Sequence, residues 1–112
     1  GAKGFIGKAI SKVLENNSVQ HHSLGRDECD LLDFKVTKAY FEEFNNNPLR
    51  IIFLSSIKRT RDDSEISMEK NIEMVGNFVK ATKNNNLLTC IFMSSVDVYD
   101  QREYIQKKSK MK

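Results

Sequence analysis

Gly1-Ala2-Lys3-Gly4-Phe5-Ile6-Gly7 opens the chain, a G-x-x-G-x-x-G run that leads straight into an apolar-periodic stretch. Phe5, Ile6, Ala9, Ile10, Val13 and Leu14 recur on one helical face, and Asn16-Asn17 ends the pattern. Glycines so spaced at a helix start let the backbone turn tightly and approach a pyrophosphate, which rests on the helix N-terminal N–H groups and dipole. A buried strand normally delivers the chain to the first such glycine. None precedes Gly1, and the chain does not begin with Met, so the sequence is expected to be an internal piece of a larger protein. One glycine motif is weak by itself, since Gly4 or Gly7 would equally permit close helix–strand packing.

Working outward, Val19 to Leu24 reads as a short strand stopped by Gly25, and Asp30-Leu31-Leu32-Asp33 as a connector with extended character. Val36, Tyr40, Phe41 and Phe44 mark a second amphipathic helix, ended by Asn45-Asn46-Asn47-Pro48 because proline cannot continue a helix. Arg50-Ile51-Ile52-Phe53-Leu54 is an apolar run of buried parallel-strand type that ends in Ser55-Ser56. After a polar loop, a third helix carries Ile72, Val75, Phe78, Val79 and Thr82 on its predicted inner side and exits at Asn84-Asn85-Asn86. Leu88 to Met93 is the next buried-type strand and again ends in serines, Ser94-Ser95. Alternation of helix and strand predicts an α/β fold: an incomplete Rossmann-type parallel sheet with helices on both faces, lacking its first strand and any C-terminal substrate part. Strand C-terminal ends then share one edge, where ligands bind in such sheets, so the two serine pairs and the opening glycines line one rim.

With 112 residues the chain holds one modest domain, read as a single partial domain over 1–112 that is truncated at both ends. Hydrophobic residues make up 39% and charged residues 29%, which excludes the composition of a disordered chain. The net charge of +3, from 18 Lys+Arg against 15 Asp+Glu, is too mild to imply nucleic acid. Much of it sits in Lys107, Lys108, Lys110 and Lys112, which read as a solvated tail. Cys29 and Cys90 have no metal-ligand spacing, so reduced thiols in a cytoplasmic protein are expected. No run is long enough to span a bilayer, and no membrane partner is expected. His21 and His22, adjacent on the expected strand, point to opposite faces and read as structural. Met68, Met74 and Met93 read as packing residues, and no metal site is expected.

Just past the second predicted strand, a site for NAD would place an acidic residue near the adenosine ribose. Arg26 stands there instead, and its planar guanidinium suits a 2′-phosphate, which favours NADP, with NAD as the alternative. Asp27 and Glu28 follow as misaligned acidic candidates, and the plain alternative for Arg26 is an ordinary surface arginine.

At this point the chain resembles the extended short-chain dehydrogenase/reductase family, the NAD(P)-dependent epimerases, dehydratases and reductases of nucleotide sugars. The matching residues are Gly1 to Gly7, Asp30-Leu31-Leu32-Asp33, Phe53-Leu54-Ser55-Ser56, Asn71 with Asn77, and Phe92-Met93-Ser94-Ser95-Val96-Asp97-Val98-Tyr99, in family order. The resemblance implies that Gly1, Gly4 and Gly7, with Phe5 and Ile6, hold the dinucleotide pyrophosphate. It implies that Asp30 and Leu31 border the adenine, and that Leu54, Ser55 and Ser56 pass beside the ribose and phosphates. Asn71 would order the site, and Ser94 would support the cofactor or the strand end. Ser95, four residues before Tyr99, matches the catalytic Ser/Thr position and would hydrogen-bond the substrate's reacting oxygen. Val96-Asp97 does not reproduce the Asp-Glu pair of the sugar 4,6-dehydratases, which leaves epimerisation or keto reduction.

The family's proton donor is the tyrosine of a Tyr-x-x-x-Lys motif, whose lysine lies one helical turn away and lowers the tyrosine pKa. Tyr104 and Lys108 satisfy that spacing, but they follow Ser95 too soon for an extended member. That stretch reads better as the substrate-facing loop, with the true pair beyond Lys112. The leading expectation is the cofactor-binding portion of a nucleotide-sugar epimerase or reductase, whose full-length form is a candidate homodimer. The competing class is a non-catalytic dinucleotide-binding sensor or scaffold. The isolated piece, with apolar faces and strand edges uncovered, is expected to be marginally stable and inactive.

Overall fold

The computed structural model describes residues 1–57 and 65–93. Three helices and two strands follow in the order α1 (Phe5–Asn16), α2 (Phe34–Glu42), β1 (Leu49–Phe53), α3 (Glu65–Ala81) and β2 (Leu87–Phe92). The strands pair in parallel, Arg50 with Thr89 through Phe53 with Phe92, after an irregularity between Leu49 and Arg50. Parallel neighbours need a long crossover, and α3 supplies it.

Each helix is bounded by local chemistry. Gly4 is the N-cap of α1 and provides no side-chain cap. At the other end Val19 N–H bonds Leu14 O at 2.9 Å and Ser18 N–H bonds Glu15 O at 3.0 Å, with Ser18 at φ 54°. That left-handed residue gives the reversed pairing of a Schellman-type end. The Asp33 carboxylate accepts from Val36 N–H at 3.2 Å and caps α2. Asp30 to Asp33 is accordingly a turn that launches a helix, not extended chain.

The core lies between α2, α3 and one face of the sheet. Phe41, Phe53, Phe78 and Ala81 form it, with Leu31, Tyr40, Leu49, Ile51 and Val75 packed against it. Phe78 is the hub, 5.7 Å from Phe41 and 4.9 Å from Phe53 between ring centres. Asn85 Nδ2 donates to Phe41 O at 2.9 Å, joining the exit of α3 to α2. Thr37 is fully buried because its hydroxyl donates to the Asp30 and Asp33 carbonyls at 3.0 and 2.9 Å.

Several expectations need correction. Residues 19–24 form no strand, because among the described residues no neighbouring strand supplies the ladder; Leu24 O instead accepts from Ala2 N–H at 3.3 Å. His21 and His22 therefore do not alternate on a strand; His21 Nδ1 lies 2.9 Å from Val19 O, and His22 meets the Phe44 ring edge-on. The two strands are not buried on both faces. Alternate residues of β1 face the helices, while Ile52 and its neighbour Ile91 lie on the open side at 40% and 49% exposure. On α3 the buried positions are Ser67, Met74, Phe78 and Ala81, with Thr82 just beyond. Ile72 and Val79 face outward, and of Met68, Met74 and Met93 only Met74 enters the core.

Candidate functional site

The glycine run is held by contacts that only glycine allows. A Cβ on Gly1 would lie 2.6 Å from the Leu54 carbonyl carbon, and one on Gly7 would lie 2.3 Å from Gly1 O. Real Cβ atoms do not approach backbone so closely, so both positions need glycine for internal packing. Gly4 differs: its Cβ position meets only Gly1 O at 3.5 Å and otherwise looks into open space. Gly4 N–H returns to Gly1 O at 3.2 Å, and Lys8 N–H closes the first helical turn on Gly4 O at 2.9 Å. With no side-chain cap, the N–H groups of Phe5, Ile6 and Gly7 are directed at the open end of α1. A diphosphate fits this end, which offers donors, a favourable dipole and no side chain at Gly4.

Gly1 also joins the segments that surround this end. It is seated directly against Leu54, and the next residue, Ala2, donates its N–H to Leu24 O at 3.3 Å. Leu54, the residue after β1, and the end of the 19–24 segment are thereby brought to the glycine run. Leu54 and Ser55 are half-buried there, and Ser56 is exposed. Asn71, on α3, clasps the next residue like a peptide group: Ile57 N–H donates to its Oδ1 at 2.7 Å, and its Nδ2 donates to Ile57 O at 3.1 Å. Asn71 thus fixes the path of the chain leaving β1.

The turn after Leu24 is built around Glu28. One carboxylate oxygen accepts from Gly25 N–H at 2.8 Å, and the other pairs with Lys3 Nζ at 3.1 Å. Hydrogen bonding to Lys3 first, then to Gly25 N–H, holds the Glu28 carboxyl below its ordinary value; the same contact raises Lys3. Arg26 is exposed in this turn. Lys3 and the tie through Glu28 escaped the sequence reading, because two loop residues of opposite charge this far apart leave no periodic signal.

Asp30 and Leu31 sit farther along the connector. Asp30 Oδ1 accepts from Leu32 N–H at 3.0 Å, an Asx turn that still leaves acceptor capacity on the carboxylate. Leu31 packs against the core, and its carbonyl accepts from Asn77 Nδ2 at 2.8 Å. The expected Ser94 and Ser95 lie outside the described residues, as does the Tyr104–Lys108 stretch read as a loop. Among the described residues no cluster of His, Cys, Asp and Glu has the geometry to hold a metal ion, and no helix is long and apolar enough to cross a membrane. Cys29 is buried and Cys90 exposed, both as free thiols.

A parallel strand pair joined by a crossover helix, with a glycine-rich helix start beside the strand end, defines an α/β protein of partial Rossmann-like type. The chain belongs to the NAD dependent epimerase/dehydratase family, whose model matches residues 1–112. No curated protein and no solved structure matches it. The family is one of NAD-dependent enzymes, so a nicotinamide cofactor is the ligand class.

Proposed function

We propose that this chain is the cofactor-binding portion, a single partial domain over 1–112, of an NADP-dependent enzyme that epimerises or reduces a nucleotide sugar. The observation that carries the reading is the seat of the glycine run at the uncapped start of α1, with Gly1 against Leu54 and Ala2 N–H on Leu24 O. In this reading the N–H groups of Phe5, Ile6 and Gly7 hold the pyrophosphate, Gly4 leaves room for it, and Gly1 lets the run pack against Leu54. Leu54, Ser55 and Ser56 run beside the ribose, Asn71 keeps that segment in place, and Ser94 supports the strand end. Asp30 and Leu31 border the adenine through the connector. Arg26 takes the 2′-phosphate, which is why NADP is favoured over NAD. Glu28 is already engaged by Lys3 and Gly25 N–H, which disfavours it as the acceptor for a free ribose 2′-hydroxyl.

When bound, the nicotinamide supplies hydride exchange at a sugar carbon. Ser95 hydrogen-bonds the reacting sugar oxygen and positions it for proton transfer with a tyrosine. The parent acts in the cytoplasm and associates as a homodimer. The exposed stripe of Met68, Ile72 and Val79 on α3, beside the open space at Gly76, supports a helix-to-helix contact.

Titrating the full-length parent with NADPH and NADH, followed by turnover assays on UDP-, GDP- and dTDP-sugars, tests the reading. NADPH should bind more tightly than NADH and support turnover of at least one sugar. Failure of both nucleotides to bind would refute it. Tight binding without turnover across the panel would favour the sensor instead.

A further inference from the structure

The connector before α2 is tied down by backbone contacts to two different helices. At its start, Asp30 O accepts from Thr37 Oγ1 at 3.0 Å and from Asp33 N–H at 3.0 Å, so the beginning of α2 holds it. One residue on, Leu31 O accepts from Asn77 Nδ2 at 2.8 Å, a contact across 46 residues of sequence. Asn77 precedes Phe78, the buried hub of the core, so the donor comes from a fixed part of α3. Leu31 O and Leu32 N–H belong to one planar peptide group and point to opposite sides of it. That N–H donates to Asp30 Oδ1 at 3.0 Å. A single peptide is therefore held on its oxygen side by Asn77 and holds, on its hydrogen side, the Asp30 carboxylate. The other carboxylate oxygen, Oδ2, takes no hydrogen bond among the described residues.

We propose that Asn77 is a positioning residue for the adenine: through the 31–32 peptide it sets the direction of the Asp30 carboxylate that accepts from the exocyclic amine. The inference rests on the cofactor reading above, since it needs adenine beside Asp30 and Leu31. Asn77 itself touches no ligand. Without its amide the peptide loses the donor that fixes its oxygen, and rotation of that peptide carries Leu32 N–H away from Asp30 Oδ1. Hydrogen bonds in series also polarise one another, so the Asn77 donor strengthens the bond on the far side. Leu31 remains packed against the core and Asp30 O remains on Thr37, so the connector stays in place while its carboxylate turns. N77L keeps the size of the side chain and removes its donor. N77S removes the donor by shortening the side chain, and so adds no apolar bulk.

The test uses the full-length parent, titrated by NMR with 5′-AMP, inosine 5′-monophosphate and inorganic pyrophosphate. The two nucleotides differ at the base, where inosine carries a carbonyl in place of the amine, and pyrophosphate reads the glycine end alone. N77L should lower the preference for 5′-AMP over inosine monophosphate by about three- to tenfold, the worth of one hydrogen bond, and leave pyrophosphate affinity unchanged. The Leu32 amide should exchange faster in the ligand-free variant. N77S should do the same, which covers the case that leucine disturbs the packing. D30N keeps an oxygen for Leu32 N–H but turns an amide toward the base, so it should abolish the preference, and N77L added to it should change nothing further. An unchanged preference in both Asn77 variants would overturn the proposal. So would an equal loss of pyrophosphate binding, which would mark a general loosening of the fold. A lowered preference with Leu32 exchange unaltered would also overturn it, because Asn77 would then not act through the peptide. If the unaltered protein bound 5′-AMP no better than inosine monophosphate, or D30N left the preference intact, adenine would not lie at Asp30 and this inference would fail. If neither 5′-AMP nor pyrophosphate bound, the cofactor reading would fall first.

Discussion

Gly7 and Gly76 both lie inside helices, yet the same substitution should move stability in opposite directions. In G76A the new methyl meets nothing within 4 Å, so only the backbone term remains. Replacing glycine by alanine in an open helix position stabilises by about 0.5–1 kcal/mol. In G7A the methyl would stand 2.3 Å from Gly1 O and 2.6 Å from the Ala2 backbone, so the glycine run itself must shift. Overpacking of this kind costs roughly 1–3 kcal/mol, and the clash here is with backbone that has no rotamer to yield, so the upper end applies. Subtracting a helix gain of about 1 kcal/mol leaves G7A destabilised by about 2 kcal/mol. The two variants should therefore differ by about 3 kcal/mol, or more than 10 °C in melting temperature for a domain of this size. Urea and thermal unfolding followed by circular dichroism, at two protein concentrations to separate unfolding from association, measure the difference. If G7A were as stable as G76A, the close approach of α1 to Gly1 and Ala2 would be wrong.

Other outcomes follow from single contacts. N71A removes a paired donor and acceptor from the Ile57 backbone and should cost about 1–3 kcal/mol, with faster hydrogen exchange at the Ile57 amide as its local signature. S18G should stabilise by a few tenths to about 1 kcal/mol by relieving the left-handed backbone at φ 54°, read from the urea midpoint. Thiol labelling should modify Cys90 well before Cys29, because burial both hides the Cys29 thiol and raises its pKa. That raised value favours the protonated native thiol, so its contribution is full below the unfolded thiol pKa and is lost as pH rises through the folded value. For Glu28 the sign reverses: its lowered pKa gives a contribution present above the ordinary carboxyl value of 4.5 and lost as pH falls through the folded value. The Gly25 amide shift should follow that protonation, and a shift that stayed flat below pH 4.5 would remove the contact.

Periodicity located the elements because it records which side chains share a face. Tyr40 and Phe41 on α2, with Phe44 in the turn just beyond it, the apolar runs of both strands and the asparagine exits could be read without coordinates, as could the α/β class. Burial could not be read in the same way. Ile52 and Ile91 have the composition of a buried strand and Ile72 that of an inner helix face. Whether a face is covered depends on which neighbours pack on it, and that is not written in the residues of the face itself. Residues 19–24 make the same point, since a strand exists only where a second strand answers its hydrogen bonds.

Gly1 to Gly7, by themselves, determined that a helix begins on a tight glycine turn with free N–H groups. Apart from the strand expected at residues 19–24, the sequence also determined the order of elements and the family, because short-range spacing and local backbone freedom are properties of the chain. The tertiary structure alone decided that Gly1 meets Leu54, that Asn71 clasps Ile57, and that Glu28 binds Lys3 across the Gly25 turn. These contacts join residues far apart in the chain, and their geometry exists only once α3 and the strands have fixed where each loop ends. The opening glycines are accordingly of two kinds. Gly1 and Gly7 are required by the protein's own backbone, and Gly4 is the one whose side-chain position faces open space.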